Sequence, residues 1–292
     1  MESKVTIGAD PEFGFINDVG SIVPPPMPFE SQFGRDGCSY VCEIRPTPGG
    51  DPETLVKNIG LLFASGYSEW PEVRQLKWKS GGMVTTYPIG GHIHIGNAKV
   101  KNDGLPDRGR VIQALNRLAA PMLLLTEDKD EAINRRVGSN YGRISSSQRD
   151  QPHGVEWRVP YSWLGSEEEA GAVLSMVYTI AHGMINSEDF RKLALKVPYF
   201  DEETFTSCDK TSVLYYAADI IKVIKKAPLY QSYKSMMEPI WDTILSQSIF
   251  PYDILKGWDV KSAFDKIALG KLKPVKINVS SDDESEEDES NV

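Results

Sequence analysis

The stretch Gly90-Gly-His-Ile-His-Ile-Gly96 constrains this chain most, because two of its four histidines stand there two residues apart, with isoleucine between and after them. Drawn out as a strand, it sends His92 and His94 to one face and Ile93 and Ile95 to the other, since successive side chains alternate. The isoleucines suit a core. The flanking glycines let another backbone or a ligand approach closely. Taken alone, the pattern fits equally well a half-buried strand whose histidines face water.

Three other stretches repeat the design. In Ala9-Asp-Pro-Glu-Phe-Gly-Phe15, Asp10 and Glu12 share one face while Phe13 and Phe15 lie opposite. In Tyr40-Val-Cys-Glu-Ile-Arg-Pro46, Glu43 and Arg45 oppose Cys42 and Ile44. In Val155-Glu-Trp-Arg-Val-Pro160, Glu156 and Arg158 oppose Val155, Trp157 and Val159. Water-facing strand surfaces usually carry Thr, Ser, Lys and Gln; these carry carboxylate, imidazole and guanidinium. On one sheet face they would bring together four carboxylates, two histidines and two arginines. So many acids share a cleft only when cations offset their repulsion. Oxygen-rich ligation with one or two imidazoles suits magnesium or manganese better than zinc. The arginines suit phosphate or carboxylate groups through paired hydrogen bonds.

The order of these motifs carries a resemblance. Gly8-Ala-Asp-Pro-Glu-Phe13 comes first, then Asp36-Gly37 with Glu43-Ile-Arg-Pro46, then Gly90 to Gly96, then Tyr141-Gly142 through His153-Gly-Val-Glu-Trp-Arg-Val-Pro160. Over roughly residues 5–165 the chain resembles carboxylate–amine ligases of the glutamine synthetase and glutamate–cysteine ligase superfamily, most closely the type found in tailed phages. The resemblance implies an α+β fold, with an antiparallel, partly barrel-like sheet whose concave face holds the site and with helices outside. It implies ATP-dependent amide formation through an acyl phosphate, with Mg2+ or Mn2+. It places Asp10, Glu12, Glu43, His92 and Glu156 at metal-ligand positions and His94 at a substrate or phosphate contact. Arg158 would hold substrate carboxylate or phosphate, with Arg45, Arg143 and Arg149 as further phosphate contacts. Asp10 is shorter than the glutamate usual at that place, so it would reach one metal only through water. Small-molecule or peptide carboxylates and amines are the implied partners, with nucleic acid only as a modified-nucleotide substrate. A metal-dependent hydrolase on the same face, or an inactive ligase fold serving as a phage binding or structural protein, are the alternatives.

The rest of the chain divides by composition. Residues 1–165 read as the sheet-based catalytic core, 166–276 as a helical region packed on it, and 277–292 as a disordered acidic tail. Seven of the nine excess negative charges lie in that tail, which leaves the remainder near neutral at −2. Such a tail cannot bury enough apolar area to offset its ordering entropy. No basic patch of the nucleic-acid-binding type stands out, and Lys222 to Lys226 reads as the wet face of a helix. The opening Met-Glu-Ser-Lys is not that of a signal peptide, no apolar run is long enough for a membrane, and three cysteines cannot all pair. Reduced thiols and a cytoplasmic setting, the host's if phage-encoded, follow.

Residues 5–16 read as the first strand, with Pro11 requiring an edge or a bulge. Asp51 and Pro52 open a helix whose stripe is Leu55, Ile59, Leu62 and Phe63. Pro106 to Thr126 reads as a second helix, kinked at Pro121. Asn134 to Arg149 holds Arg135, Arg136, Arg143 and Arg149 among glycines and serines, as a phosphate-holding loop does. Ser166 with Glu169 forms a capping box for a helix to about Ile185. Further helices are expected over Ser212–Lys226, Leu229–Ser246 and Val260–Leu269, the last capped by Asp259. No Gly-x-x-x-x-Gly-Lys-Ser/Thr loop, Gly-x-Gly-x-x-Gly turn or Gly-x-Ser-x-Gly elbow is present.

Overall fold

Strand β1 (Thr6–Ile16) is the spine of the protein, and every other strand of the main sheet is placed by its distance from it. The computed structural model describes residues 4–29, 31–37, 40–97 and 107–277. The expected acidic tail and Cys38 therefore lie outside the described residues, apart from Ile277. Around β1 stand β2 (Ile22–Val23), β3 (Phe33–Arg35), β4 (Cys42–Ile44), β5 (Lys77–Lys79), β8 (Gly91–Gly96), β9 (Gln148–Gln151) and β10 (Gly154–Trp157). The order is β3-β4-β1-β8-β10-β9, with β2 and β5 pairing the far end of β1. Each pairing is antiparallel. A separate hairpin joins β6 (Met83–Val84) to β7 (Tyr87–Pro88). The α+β class and the antiparallel sheet are as expected, but the sheet stays open and does not close into a barrel.

Pro11 sits in an interior strand, contrary to the edge or bulge expected of it. Along β1 the even residues point their N–H groups toward β8, as Glu12 does in donating to Gly90 O at 2.8 Å. Odd residues point the other way, as Ile7 does toward Gly49 O at 3.1 Å. Pro11 thus directs its missing donor to the β4 side, where the described register begins only at Glu12 opposite Glu43. The ladder loses little.

Period-two alternation holds on the apolar side. Phe13, Phe15, Ile93, Ile95, Val155, Trp157, Cys42 and Ile44 are all fully buried. Phe13 stacks on Trp78 at 5.6 Å and meets Phe33 and Phe63 edge-on. Each buried aliphatic or aromatic side chain contributes about 1.5–3 kcal/mol relative to exposure. Helices α1 (Pro52–Glu69), α2 (Asp107–Thr126) and α4 (Glu167–Asn186) lie against this face. Asp51 caps α1 by accepting from Thr54 N at 2.8 Å, and the expected stripe is buried. Helix α2 runs through Pro121 as one assigned helix.

The shorter helices α3 (Lys129–Ile133), α5 (Glu188–Ala194), α6 (Glu202–Thr206) and α9 (Ile254–Gly257) escaped sequence reading. Helices α7 (Lys210–Ile224), α8 (Lys234–Leu245) and α10 (Val260–Ala268) match expected ones with shifted ends. Asp259 precedes α10 without a side-chain cap bond. Ser166 caps α4 through Glu169 N at 3.0 Å, but the capping box is half made. The Glu169 carboxylate turns inward to accept from Tyr161 OH at 2.8 Å, because burial against the sheet outweighs a return bond to Ser166. Apolar residues from both sides of position 165 form one continuous core cluster.

Candidate active site

The charged face of the sheet is buried as well as the apolar one. Glu156 is fully inaccessible, and Glu12, Glu43 and His92 are at most 5% exposed. A water-facing strand is thereby ruled out for this face.

Register sets the neighbours. Asp10 lies opposite His92 on β1 and β8, Glu156 lies opposite His94 on β10 and β8, and Glu12 lies opposite Glu43 on β1 and β4. Directly opposed side chains share a face. Asp10, His92 and Glu156 each offer one ligand atom within 4.8 Å of the others. His92 Nδ1 is 3.7 Å from Asp10 Oδ1 and 3.6 Å from Glu156 Oε1. Both oxygens are buried without an aligned hydrogen-bond donor, although His94 Nε2 and Arg158 Nε stand 3.0 and 3.1 Å away. Two carboxylate oxygens and an imidazole nitrogen around one point are the donor set of a hard or borderline divalent cation. The residues present fit such an ion.

The other predicted residues flank this trio. Arg45 pairs with Glu43 and donates to Ser31 O at 2.9 Å. Arg149 approaches Glu156 Oε2 to 3.3 Å, from strand β9 and not from a loop, because it is the cross-strand partner of Glu156. Arg143 is not brought to Glu156. It donates to Arg136 O at 2.8 Å and faces Glu202 at 3.8 Å. Arg135 and Arg136 also depart from the phosphate-loop expectation, being 0 and 2% exposed around the buried Glu127.

Burial, reinforced by Asp36 and Asp10, pushes the Glu12 carboxyl up to about 8. Burial pushes Glu43 up to about 9 despite Arg45. Burial pulls His92 down to about 3 against the charge of Asp10, so its ring is neutral. At Asp10 burial acts upward, but the close approach of His94 outweighs it and holds the carboxyl below its ordinary value. Burial and crowding make Glu12 and Glu43 resist ionisation, a cost that a bound cation would offset.

Three residues of the site went unassigned in the sequence. Tyr141 donates to Glu12 Oε1 at 2.7 Å and lies 2.9 Å from His92 Nε2. Gln151 donates to Glu156 Oε2 at 2.8 Å. His153, which in the sequence stands only as part of the last motif, lies 3.0 Å from His94 Nδ1. The signal for His153 and Gln151 was the hairpin between Arg149 and Glu156, which loop-like composition concealed. Beside the trio, and sharing Asp10 with it, a cleft of about 360 Å³ opens between Pro46, Pro48, Arg45, His94 and His153. No described helix is long and apolar enough to cross a membrane.

The family described as Phage phiEco32-like COOH.NH2 ligase-type 2 matches residues 7–260. No curated protein matches the sequence. Among solved structures, the complex of the prokaryotic ubiquitin-like protein Pup with its ligase PafA is similar at TM-score 0.54 and 12% identity, over 93% of this chain and 70% of that one. GmaS in complex with ADP is similar at TM-score 0.51 and 10% identity, over 84% and 71%. A bifunctional glutathione synthetase from Pasteurella multocida aligns at TM-score 0.47 and 12% identity, over 91% of this chain. The chain spans about half the length of that synthetase, 49%.

Proposed function

Because this chain belongs to the phage phiEco32-like carboxylate–amine ligase family of type 2, we propose that it joins a carboxylate to an amine with cleavage of ATP. The observation that carries the reading is the trio of half-buried Asp10 and buried His92 and Glu156, two of whose carboxylate oxygens lack an aligned hydrogen-bond donor and face the imidazole beside Arg149 and Arg158. The similar fold of GmaS, seen with ADP, supports ATP as the nucleotide.

In this reading a substrate carboxylate oxygen attacks the γ-phosphorus and ADP leaves. The amine nitrogen then attacks the acyl carbon, phosphate departs with the C–O bond electrons, and the amine proton ends on phosphate. Asp10, His92 and Glu156 would hold a divalent cation, with Glu12 and Glu43 beside it, and the ion would neutralise and orient the triphosphate. Arg158 and Arg149, released from Glu156, direct N–H groups at the transferring phosphoryl oxygens or the substrate carboxylate. Arg45 does the same from β4. His94, whose two ring nitrogens meet Asp10 and His153, donates to a ligand in the cleft by exchanging one of these partners. Residues 1–165 carry this chemistry, and 166–276 support it by filling the apolar face.

Purified protein incubated with ATP, Mg2+ and pooled carboxylates and amines should yield a new amide mass with one ADP and one phosphate per bond. Carboxylate labelled with 18O should pass one label to phosphate. Amide cleavage without ATP would replace this reading with a metal-dependent hydrolase.

A further inference from the structure

Tyr141 reaches the site from outside the sheet and touches both of its halves. Its hydroxyl lies 2.7 Å from Glu12 Oε1 and 2.9 Å from His92 Nε2. The other Glu12 oxygen, Oε2, accepts from Gly90 N at 2.6 Å. A phenol has one hydrogen, and once a cation on this face holds Glu12 ionised it goes to that carboxylate, which can only accept. The phenolic oxygen is then an acceptor, which the His92 ring satisfies by donating Nε2–H. At the other nitrogen, the carboxylate oxygens of Asp10 and Glu156 stand 3.7 and 3.6 Å from Nδ1, beyond hydrogen-bond reach. A neutral imidazole has one ring proton, and among the described residues only Nε2 has a hydrogen-bond partner for it.

We propose that Tyr141 is a positioning residue: it fixes His92 as the Nε2–H tautomer and thereby presents the Nδ1 lone pair to the space shared with Asp10 and Glu156. The proposal rests on reading that space as a cation site. Ligating histidines generally owe tautomer and ring angle to a partner on the other nitrogen. Here that partner is itself ordered by Glu12, so one hydroxyl ties the Glu12–Glu43 side of the face to the Asp10–Glu156 side.

The surroundings are built for this contact. A Cβ at Gly90 would come within 2.6 Å of His92 Nε2 and 3.0 Å of the Tyr141 ring, so the glycine leaves the room in which the two meet. Tyr141 N donates to Arg135 O at 3.0 Å, and the Arg135 guanidinium stands 5.4 Å from the Tyr141 ring centre. Gly142 turns with φ +69°, where an added Cβ would strike that guanidinium. Tyr141 is therefore held from behind by a buried arginine and from in front by Glu12.

The test uses full-length protein, labelled with 15N-histidine and saturated with Mg2+, whose imidazole nitrogen shifts report the tautomer directly. His92 should carry its proton on Nε2. Tyr141→Phe keeps the ring and removes the hydroxyl; it should broaden or mix the His92 tautomers. It should also raise the Mn2+ dissociation constant, measured by calorimetry, about ten- to a hundredfold. A structural role alone would leave the tautomer unchanged. A proton on Nδ1 in the Mg2+-loaded wild type overturns the proposal without recourse to any variant. So does a Tyr141→Phe protein with wild-type Mn2+ affinity. In both of those cases the cation site itself stands. A wild-type protein that takes up neither Mg2+ nor Mn2+ overturns the cation-site reading and this proposal together.

Discussion

Two of the described glutamates are fully inaccessible, and each is flanked by two arginines. Glu127 lies between Arg135 and Arg136, which are 0 and 2% exposed. Glu156 lies between Arg149 and Arg158, whose side chains are 54 and 28% exposed. The chemistry of the two triads is the same and their freedom is opposite. Around Glu127 all three side chains are enclosed, and the arginines also donate to backbone carbonyls of Val159, Pro160 and Gly142, while Arg135 Nε and Arg136 Nη1 stay buried without a partner. That closed triad fastens the end of β10 and the Tyr141 turn. Around Glu156 the arginines reach from solvent to a carboxylate that also faces His92, so either can leave for an incoming anion. A closed ion cluster serves the fold, and an open one can exchange partners with a ligand.

Removing each carboxylate should separate these roles. Glu127→Ala leaves two arginines buried without a counter-charge, a change that costs about 3–5 kcal/mol. At about 2–4 °C per kcal/mol for a chain of this size class, thermal melting should fall by roughly 10 °C. Melting within 2–3 °C of wild type would show that the arginines hydrate freely and that the triad is not closed.

Glu156→Ala should do the reverse. Arg149 and Arg158 can turn to water, and a strongly acidic face loses one charge, so melting should stay within a few degrees. Ligase turnover and Mn2+ affinity should each fall by at least about a hundredfold, since even outer-shell partners of a metal carry that much. Unchanged Mn2+ affinity in calorimetry would remove Glu156 from the cation site and erase the contrast with Glu127.

The two triads also differ in how far they could be read in advance. Glu156 and Arg158 were legible because a strand transmits direction: period two carries Glu156 to the face of Asp10 and His92, while Val155 and Trp157 fall to the core. The same rule grouped Glu12, Glu43 and His94 with them across three further stretches of sequence. Glu127 lies on the bend between α2 and α3, and Arg135 and Arg136 lie on a π-helical turn, where direction depends on what each segment packs against. Their charge resembled that of a solvated or anion-binding loop, and only the tertiary fold sends two of the four arginines inward. Arg149 was placed near the site for the wrong local reason, as a loop residue, when strand pairing with Glu156 puts it there. Tyr141 was visible as a residue of a motif but not as a contact, because its role depends on Arg135 behind it.

A finer cut through the open site separates its histidines. His92 shares the trio with Asp10 and Glu156, whereas His94 spans Asp10 and His153 beside the cleft. His92→Ala should raise the Mg2+ or Mn2+ concentration needed for half-maximal activity, with partial rescue at high metal. His94→Ala should lower turnover about a hundredfold with the metal titration unchanged, as removal of one transition-state donor does. Superimposable metal curves for the two variants would show that both imidazoles hold the ion. Ile93→Asp, between them, should instead unfold the protein by burying a charge in the core.

The smallest expected effect sharpens the comparison most, because it concerns arginines outside the closed triad that differ only in their partner. Arg149 meets Glu156 at 3.3 Å, and Arg143 meets Glu202 at 3.8 Å while bracing the Arg136 carbonyl. Both are partly exposed, so neither ion pair contributes more than about 1 kcal/mol to stability. Melting should therefore not tell them apart. Turnover should. Arg149→Ala removes a charged donor beside the proposed phosphoryl position and should lower turnover about tenfold, the low end for a charge-assisted hydrogen bond. Arg143→Ala should leave it within about twofold, since its contacts lead away from Glu156. Equal losses in steady-state kinetics would mean that Arg143 swings from Glu202 into the site when ATP binds, and openness would then extend to the turn that the closed triad supports.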